Sequence, residues 1–145
     1  MLSFSKFLPT FFYLGKIKYA PGTVASLATL ILWYLFSPSD ITLRFYLLTF
    51  IASLAYFSTY YSLTLFKEKD PQCIVIDEVL GMSIPLVILP NDLILFVVSF
   101  LIFRCLDILK PSIVYYAQNL DGAYGVLMDD ILAGLITLFI VINYI

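Results

Sequence analysis

The sequence predicts an all-α, compact multi-helix membrane protein, and three observations carry that prediction. Of the 145 residues, 62% are hydrophobic and only 12% are charged, against roughly a quarter charged in an ordinary soluble domain. The apolar residues gather into five runs, at 24–36, 45–66, 79–89, 93–103 and 131–145, and each reads as a helix. Charged residues lie mainly between these runs, and most of them fall on one side when the runs are folded back and forth.

Taken in order, residues 3–14 are mixed and aromatic-rich. Their apolar part, 7–14, is broken by Pro9 and lacks a small-residue cleavage site, so it is expected to stay rather than be removed as a signal peptide. Ala20-Pro21-Gly22-Thr23 then opens the run at 24–36. A Gly-Thr turn at a helix N-terminus exposes amides that can hold an anion; the competing role is a helix cap by Thr23 or Ser26. Lys16 and Lys18, just upstream, equally suit anchoring at a membrane surface.

Ser37-Pro38-Ser39-Asp40 reads as a turn. The 22-residue run at 45–66 is the one that comfortably crosses a hydrocarbon core, which is about 30 Å thick and needs about 20 helical residues. The other runs, 11 to 15 residues long, are extended by polar flanks, tilted, or folded as half-membrane hairpins against the long helix. Pro90-Asn91-Asp92 joins two antiparallel helices, because Pro removes an amide donor and Asn and Asp supply local hydrogen bonds. No linker, charge block, low-complexity tract or repeat divides the chain, so residues 1–145 are expected to form one domain.

Antiparallel helices on either side of each turn bring Lys6, Lys16, Lys18, Lys67, Lys69, Arg104 and Lys110 to the side of the N-terminus, seven of the eight basic residues, with Arg44 opposite. The positive-inside rule makes that side cytoplasmic. The same side receives Glu68, Asp70, Asp77, Glu78, Asp107, Asp121, Asp129 and Asp130, eight of the ten acidic residues, with Asp40 and Asp92 in the opposite turns. An active site is therefore expected at the cytoplasmic helix ends. The chain has no histidine, so any chemistry must use carboxylates, Lys, Arg or hydroxyls. Cys73 and Cys105 match no metal-binding spacing and read as small buried hydrophobes. No basic stripe suits nucleic acid.

Three constellations carry chemistry. Asp77-Glu78 heads an apolar helix containing Gly81. Capping explains one carboxylate at a helix N-terminus but not two; paired carboxylates repel unless a cation lies between them, and their hard oxygens suit Mg²⁺. Arg104, Asp107 and Lys110 recur at i, i+3 and i+6 before Pro111, which puts them near one helical face. They form either an intrahelical ion-pair ladder or a site in which Asp107 joins the metal while Arg104 and Lys110 face phosphate oxygens. Asp121-Gly122-Ala123-Tyr124-Gly125 reads as a turn, and Asp129-Asp130 as a second acidic pair at the head of the last apolar helix.

Several enzyme classes fail on inspection. There is no C-x5-R phosphate loop, no histidine for histidine-dependent phosphatases and no D-x-D-x-[TV] nucleophile motif. The CDP-alcohol phosphotransferase pattern fails because no arginine follows Arg104.

The motifs YAPGTVASL (19–27), IVIDEVLGM (74–82), FRCLDILKP (103–111) and DGAYGVLMDDILAG (121–134) together resemble the phosphatidylglycerophosphatase A family, in the family's order and over most of the chain. The resemblance implies a bacterial, multi-pass inner-membrane enzyme with an all-α fold. Its implied activity is Mg²⁺-dependent removal of the terminal phosphate of phosphatidylglycerophosphate in phosphatidylglycerol biosynthesis. Carried over motif by motif, it implies metal ligands among Asp77, Glu78, Asp107, Asp129 and Asp130, with Asp107, Asp129 and Asp130 in catalysis. Arg104, Lys110, Gly22 and Thr23 are its implied phosphate-binding residues. The chain departs from the pattern at Gly122-Ala123, where the family often has Gly-Gly, and at Ala25-Ser26, where it often has Gly-Ser; neither change removes an ionisable group.

The expected chemistry is in-line attack of a metal-assisted water on the phosphate, with Arg104 and Lys110 stabilising its oxygens. Tyr115 and Tyr116 are placed to anchor the segment after Pro111 at the membrane interface. The alternative is a non-enzymatic membrane protein that uses the acidic face to bind a divalent metal or a partner. A conduction path would prefer ionisable groups at mid-bilayer, and the apolar runs contain almost none.

Overall fold

A computed structural model describes residues 10–11, 19–65, 74–117 and 122–144. Six helices account for the regular structure of these residues: α1 (Pro21–Phe36), α2 (Ile41–Leu65), α3 (Ile76–Ile88), α4 (Leu93–Leu109), α5 (Ser112–Ala117) and α6 (Ala123–Asn143). The all-helical expectation holds among the described residues. Lys6, Lys16, Lys18, Lys67, Glu68, Lys69, Asp70, Cys73 and Asp121 lie outside them, and Cys105, expected to be buried, is exposed on α4.

The helices outrun the apolar runs because polar flanks continue them. α4 does not stop at Phe103 but runs to Leu109, since Arg104 and Asp107 pair one turn apart on the same face. α6 begins at Ala123, eight residues before its apolar run. As a result two helices, Ile41–Leu63 within α2 and α6, are long and apolar enough to cross a membrane. α3, with 13 residues, is roughly 20 Å long and falls short.

The turns at one pole follow from local capping. Asp40 accepts a hydrogen bond from the Thr42 amide at 2.8 Å, and Asp92 accepts from the amides of Ile94 and Leu95 at 2.8 and 3.0 Å. The two acidic residues expected opposite the main charge cluster thus serve the starts of α2 and α4. Arg44, also at this pole, is buried and joins both turns, donating from Nε to the Pro38 carbonyl at 2.6 Å and from Nη1 to the Leu89 carbonyl at 3.0 Å. Asn91 adds a bond from Nδ2 to the Tyr34 carbonyl at 3.1 Å.

The surface is apolar, as a lipid solvent requires: Phe45, Tyr46, Phe50 and Phe57 of α2, Ile94 and Leu101 of α4, and Phe139 of α6 are all exposed. Inside, Leu30, Trp33, Met82, Leu86, Phe96, Phe103 and Ala133 form a common core. Three buried hydroxyls bond back to their own helices: Thr29 to the Ala25 carbonyl, Ser83 to Val79 and Thr137 to Ala133, at 2.7–2.8 Å.

α3 and α6 meet through glycine. A Cβ on Gly81 would stand 2.6 Å from the Asp130 carbonyl oxygen, and one on Gly134 would overlap the Gly81 carbonyl. Only the missing side chains let these two backbones touch, the packing that small residues permit between membrane helices.

Candidate active site

Gly81 lies four residues after Asp77, and Gly134 four after Asp130. On each helix, then, a carboxylate sits one turn above a glycine on the same face. Where the glycines let α3 and α6 touch, the carboxylates one turn higher are brought together. Asp77, Glu78 and Asp130 each offer an oxygen, and the three oxygens lie within 4.8 Å of one another. Asp77 and Asp130 are 8% and 3% exposed.

Among the described residues, Glu78 Oε2 and Asp130 Oδ1 are buried without a hydrogen-bond partner. Orphaned carboxylate oxygens are expensive to bury, and three carboxylates this close repel. Burial, followed by the Glu78 charge, holds Asp77 well above the usual carboxylate range; burial also raises Glu78. A hard divalent cation fits this donor set: it would satisfy the orphaned oxygens and cancel the repulsion.

The two remaining site carboxylates are partnered differently. Asp107 Oδ2 pairs with Arg104 Nη1 across one turn of α4, and Asp129 Oδ2 pairs with Lys110 Nζ at 2.9 Å. The spacing in FRCLDILKP therefore yields one intrahelical pair, while Lys110 leaves the ladder. As the C-cap of α4, Lys110 has left-handed backbone (φ 42°), and its side chain reaches α6. Burial would lower the Lys110 ammonium, but the Asp129 hydrogen bond and charge outweigh it and raise the group. Asp107 also faces Asp130, and its charge reaches Glu78, so the ion pairs adjoin the cluster.

Gly22 enters the site by close approach. It is the second residue of α1, and a Cβ there would overlap Glu78 Oε1 and lie 3.3 Å from Arg104 Nη1. Neither expected cap forms: no side chain caps α1, and Ser26 Oγ bonds back to the Gly22 carbonyl at 2.8 Å. Thr23 follows on the same turn, half-buried. The Arg104 Nε, buried and unpartnered among the described residues, leaves one donor available beside this helix start.

One expectation is corrected. Asp129-Asp130 does not head the last helix; it lies six and seven residues inside it. Gly122, with φ 68°, makes the turn one residue before Ala123, and the apolar stretch after it is already helical. Gly125 is accordingly a buried helical residue rather than part of a turn. The pair is thus recessed by roughly 9–10 Å, inside a candidate membrane span, and helix capping does not account for either residue. Tyr115 and Tyr116 are exposed on α5, as an interfacial anchor requires.

Sequence reading found every carboxylate of the cluster but missed the α3–α6 glycine crossing that assembles it. The repeated Asp-x3-Gly spacing was the available signal.

The sequence profile of the family described as phosphatidylglycerophosphatase A matches residues 7–145. A Bacteroides thetaiotaomicron protein provisionally named phosphatidylinositol-3-phosphatase is 33% identical, the alignment covering 93% of this chain and 92% of the relative. The phosphatidylglycerophosphatase A of Escherichia coli K12 is 34% identical over 85% of this chain and 73% of its own. That of Haemophilus influenzae is 35% identical over 50% of this chain and 45% of its own. No solved structure matches significantly. The four motifs that build the acidic pole lie within a match spanning nearly the whole sequence, and the chain belongs to the phosphatidylglycerophosphatase A family.

Proposed function

We propose that this protein is a phospholipid phosphomonoesterase that converts phosphatidylglycerophosphate to phosphatidylglycerol and inorganic phosphate at a bacterial inner membrane. The observation that carries the reading is the cluster of Asp77, Glu78 and Asp130, with two orphaned carboxylate oxygens, directly beside Arg104 and Lys110. Family membership and the name of the E. coli relative support the substrate.

Asp77, Glu78 and Asp130 would hold Mg²⁺, which supplies positive charge against the phosphate and makes a bound water more acidic. Arg104 and Lys110, with amides at the start of α1 beside Gly22 and Thr23, bind the phosphate oxygens and stabilise charge gathering there. Asp107 and Asp129 hold those two cations in place through their ion pairs. Asp107 adjoins both Arg104 and Asp130, so we assign it to accept the proton from the attacking water. Water oxygen bonds to phosphorus as the bond to the glycerol oxygen breaks, and that oxygen leaves as the hydroxyl of phosphatidylglycerol with a proton returned to it.

The charge distribution supports a cytoplasmic-facing site: Arg104 and Lys110 share its pole, and Arg44 lies at the other. An inner-leaflet headgroup would meet the helix ends without its chains leaving the bilayer.

The Bacteroides relative favours a second substrate, a phosphoinositide monoester, because its alignment covers more of both chains than the E. coli one. Phosphate release by the purified protein from phosphatidylglycerophosphate and from phosphatidylinositol 3-phosphate, each with Mg²⁺ and with chelator, decides between them. A kcat/KM at least about tenfold higher on the first supports our assignment. A preference for the second moves it to the inositol lipid, and release from neither favours a non-enzymatic metal-binding role.

A further inference from the structure

Between α1, α2 and α3 lies a cavity of about 270 Å³, which the proposed chemistry does not use. We propose that it holds one acyl chain of the phospholipid whose headgroup occupies the acidic pole; the assignment rests on the phospholipid-phosphatase reading.

The cavity has the chemistry of hydrocarbon. Midway along it Trp33 Nε1 donates to Ser83 Oγ at 2.9 Å, and Ser83 Oγ in turn donates to the Val79 carbonyl at 2.7 Å. Thr29 is satisfied by its own helix. The one orphaned hydroxyl on the wall, Ser37 Oγ, is at the far end. A headgroup would find no partners in the middle of such a space, whereas methylenes need none, and each gains about 0.8 kcal/mol on burial.

Its position and length fit one chain. At the site end the wall begins with Ile76, the residue before Asp77, and at the far end it reaches Phe36 and Ser37. Taking the Trp33–Ser83 contact as a common level, the seven residues from Ile76 to Ser83 and the three from Trp33 to Phe36 give a length of roughly 15 Å. That is about half of a 30 Å hydrocarbon core, the depth of one leaflet. The volume lies just under the range of about 300–1,000 Å³ of pockets for drug-sized ligands, enough for one chain rather than two. Leu32, Phe36 and Leu47 on its rim are 45%, 74% and 38% exposed, so the cavity lies against the lipid-facing surface. Its wall thus comes within one residue of the acidic site at one end, where Phe11 also lines it, and meets the bilayer at its side.

Trp33 is the only tryptophan of the chain, lines the cavity and is 4% exposed, which makes its fluorescence a reporter of occupancy. The full chain in detergent micelles is titrated with phosphatidylglycerol carrying dibrominated acyl chains. Quenching is expected to saturate near one lipid per protein. Ile51→Phe, which puts bulk into the α2 wall, is expected to shift the half-saturation point about tenfold upward, the effect of excluding roughly two methylenes. The same variant is expected to lower, by about the same factor, the ratio of kcat/KM on diacyl phosphatidylglycerophosphate to that on a chain-free phosphomonoester. Leu54→Phe repeats the test should Ile51→Phe not fold, and Phe50→Leu, on the outer face of α2, is the control. Quenching that rises in proportion to bromolipid without saturation, identically in wild type and variant, shows annular lipid only and overturns the proposal. Because quenching needs no turnover, it decides the matter even if the phosphatase reading fails.

Discussion

Replacing Asp130 with Asn separates what the carboxylate cluster does for stability from what it does for chemistry. Asn keeps the size of the side chain and removes a charge that stands within 4.8 Å of two others. At that separation and an effective dielectric of about 20, each fully ionised pair repels by roughly 3.5 kcal/mol. Protonation limits the effect, since the raised carboxyls shed charge in the absence of metal. The net gain on removing Asp130 is therefore expected to be about 1–3 kcal/mol. In chelator, thermal unfolding in detergent followed by Trp33 fluorescence should show Asp130→Asn melting above wild type. With Mg²⁺ the order should reverse, because wild type gains RT ln(1 + [Mg²⁺]/Kd) and the variant loses most of that term. Wild type melting above the variant in chelator, or equal Mg²⁺ shifts in both, would refute the view of the cluster as a cation site held together against its own repulsion.

Other consequences follow from the same geometry. Gly81→Ala is expected to push α3 from α6, because its Cβ would stand 2.6 Å from the Asp130 carbonyl; melting should show a loss of about 1–3 kcal/mol, with Mg²⁺-dependent activity falling further than the stability loss explains. Lys110→Met is expected to lower kcat/KM about 100-fold. Adding Asp129→Asn to it should bring little further loss, since the two act as a pair. Stability in chelator should fall as pH rises from the ordinary carboxylate range through the raised values of Asp77 and Glu78. Over that window the folded state keeps protons that the unfolded chain has released. Melting temperature against pH checks this, and Mg²⁺ should flatten the slope because it competes with those protons.

Much of the fold was legible because every helix except the six-residue α5 carries a long apolar run and each described turn between runs carries a local signal. Asp40 and Asp92 read as turn residues and are turn residues. Helix ends were less legible, because hydropathy stops at the first charge while the helix does not. Arg104 and Asp107 continue α4 by pairing with each other, and Asp129 and Asp130 sit inside α6 because their charges face the bundle rather than lipid. The carboxylates themselves were visible from their pairing at run ends. Their division into a cluster of three and two ion pairs was not, because it depends on the register between α3 and α6. Two glycines one turn below the acids set that register, and no single helix contains the information. Gly22 was singled out for its turn; its role against Glu78 and Arg104 is likewise an interhelical contact.

On our proposal, Asp77, Glu78 and Asp130 form the divalent-metal site of a lipid phosphatase. Phosphate release from phosphatidylglycerophosphate by the purified full chain, in Mg²⁺ and in chelator, compared between wild type and Asp130→Asn, tests it most directly. Release by wild type is expected to disappear in chelator and to fall about 100-fold or more in the variant. Release that survives chelation, or that the variant retains at the wild-type rate, would contradict it.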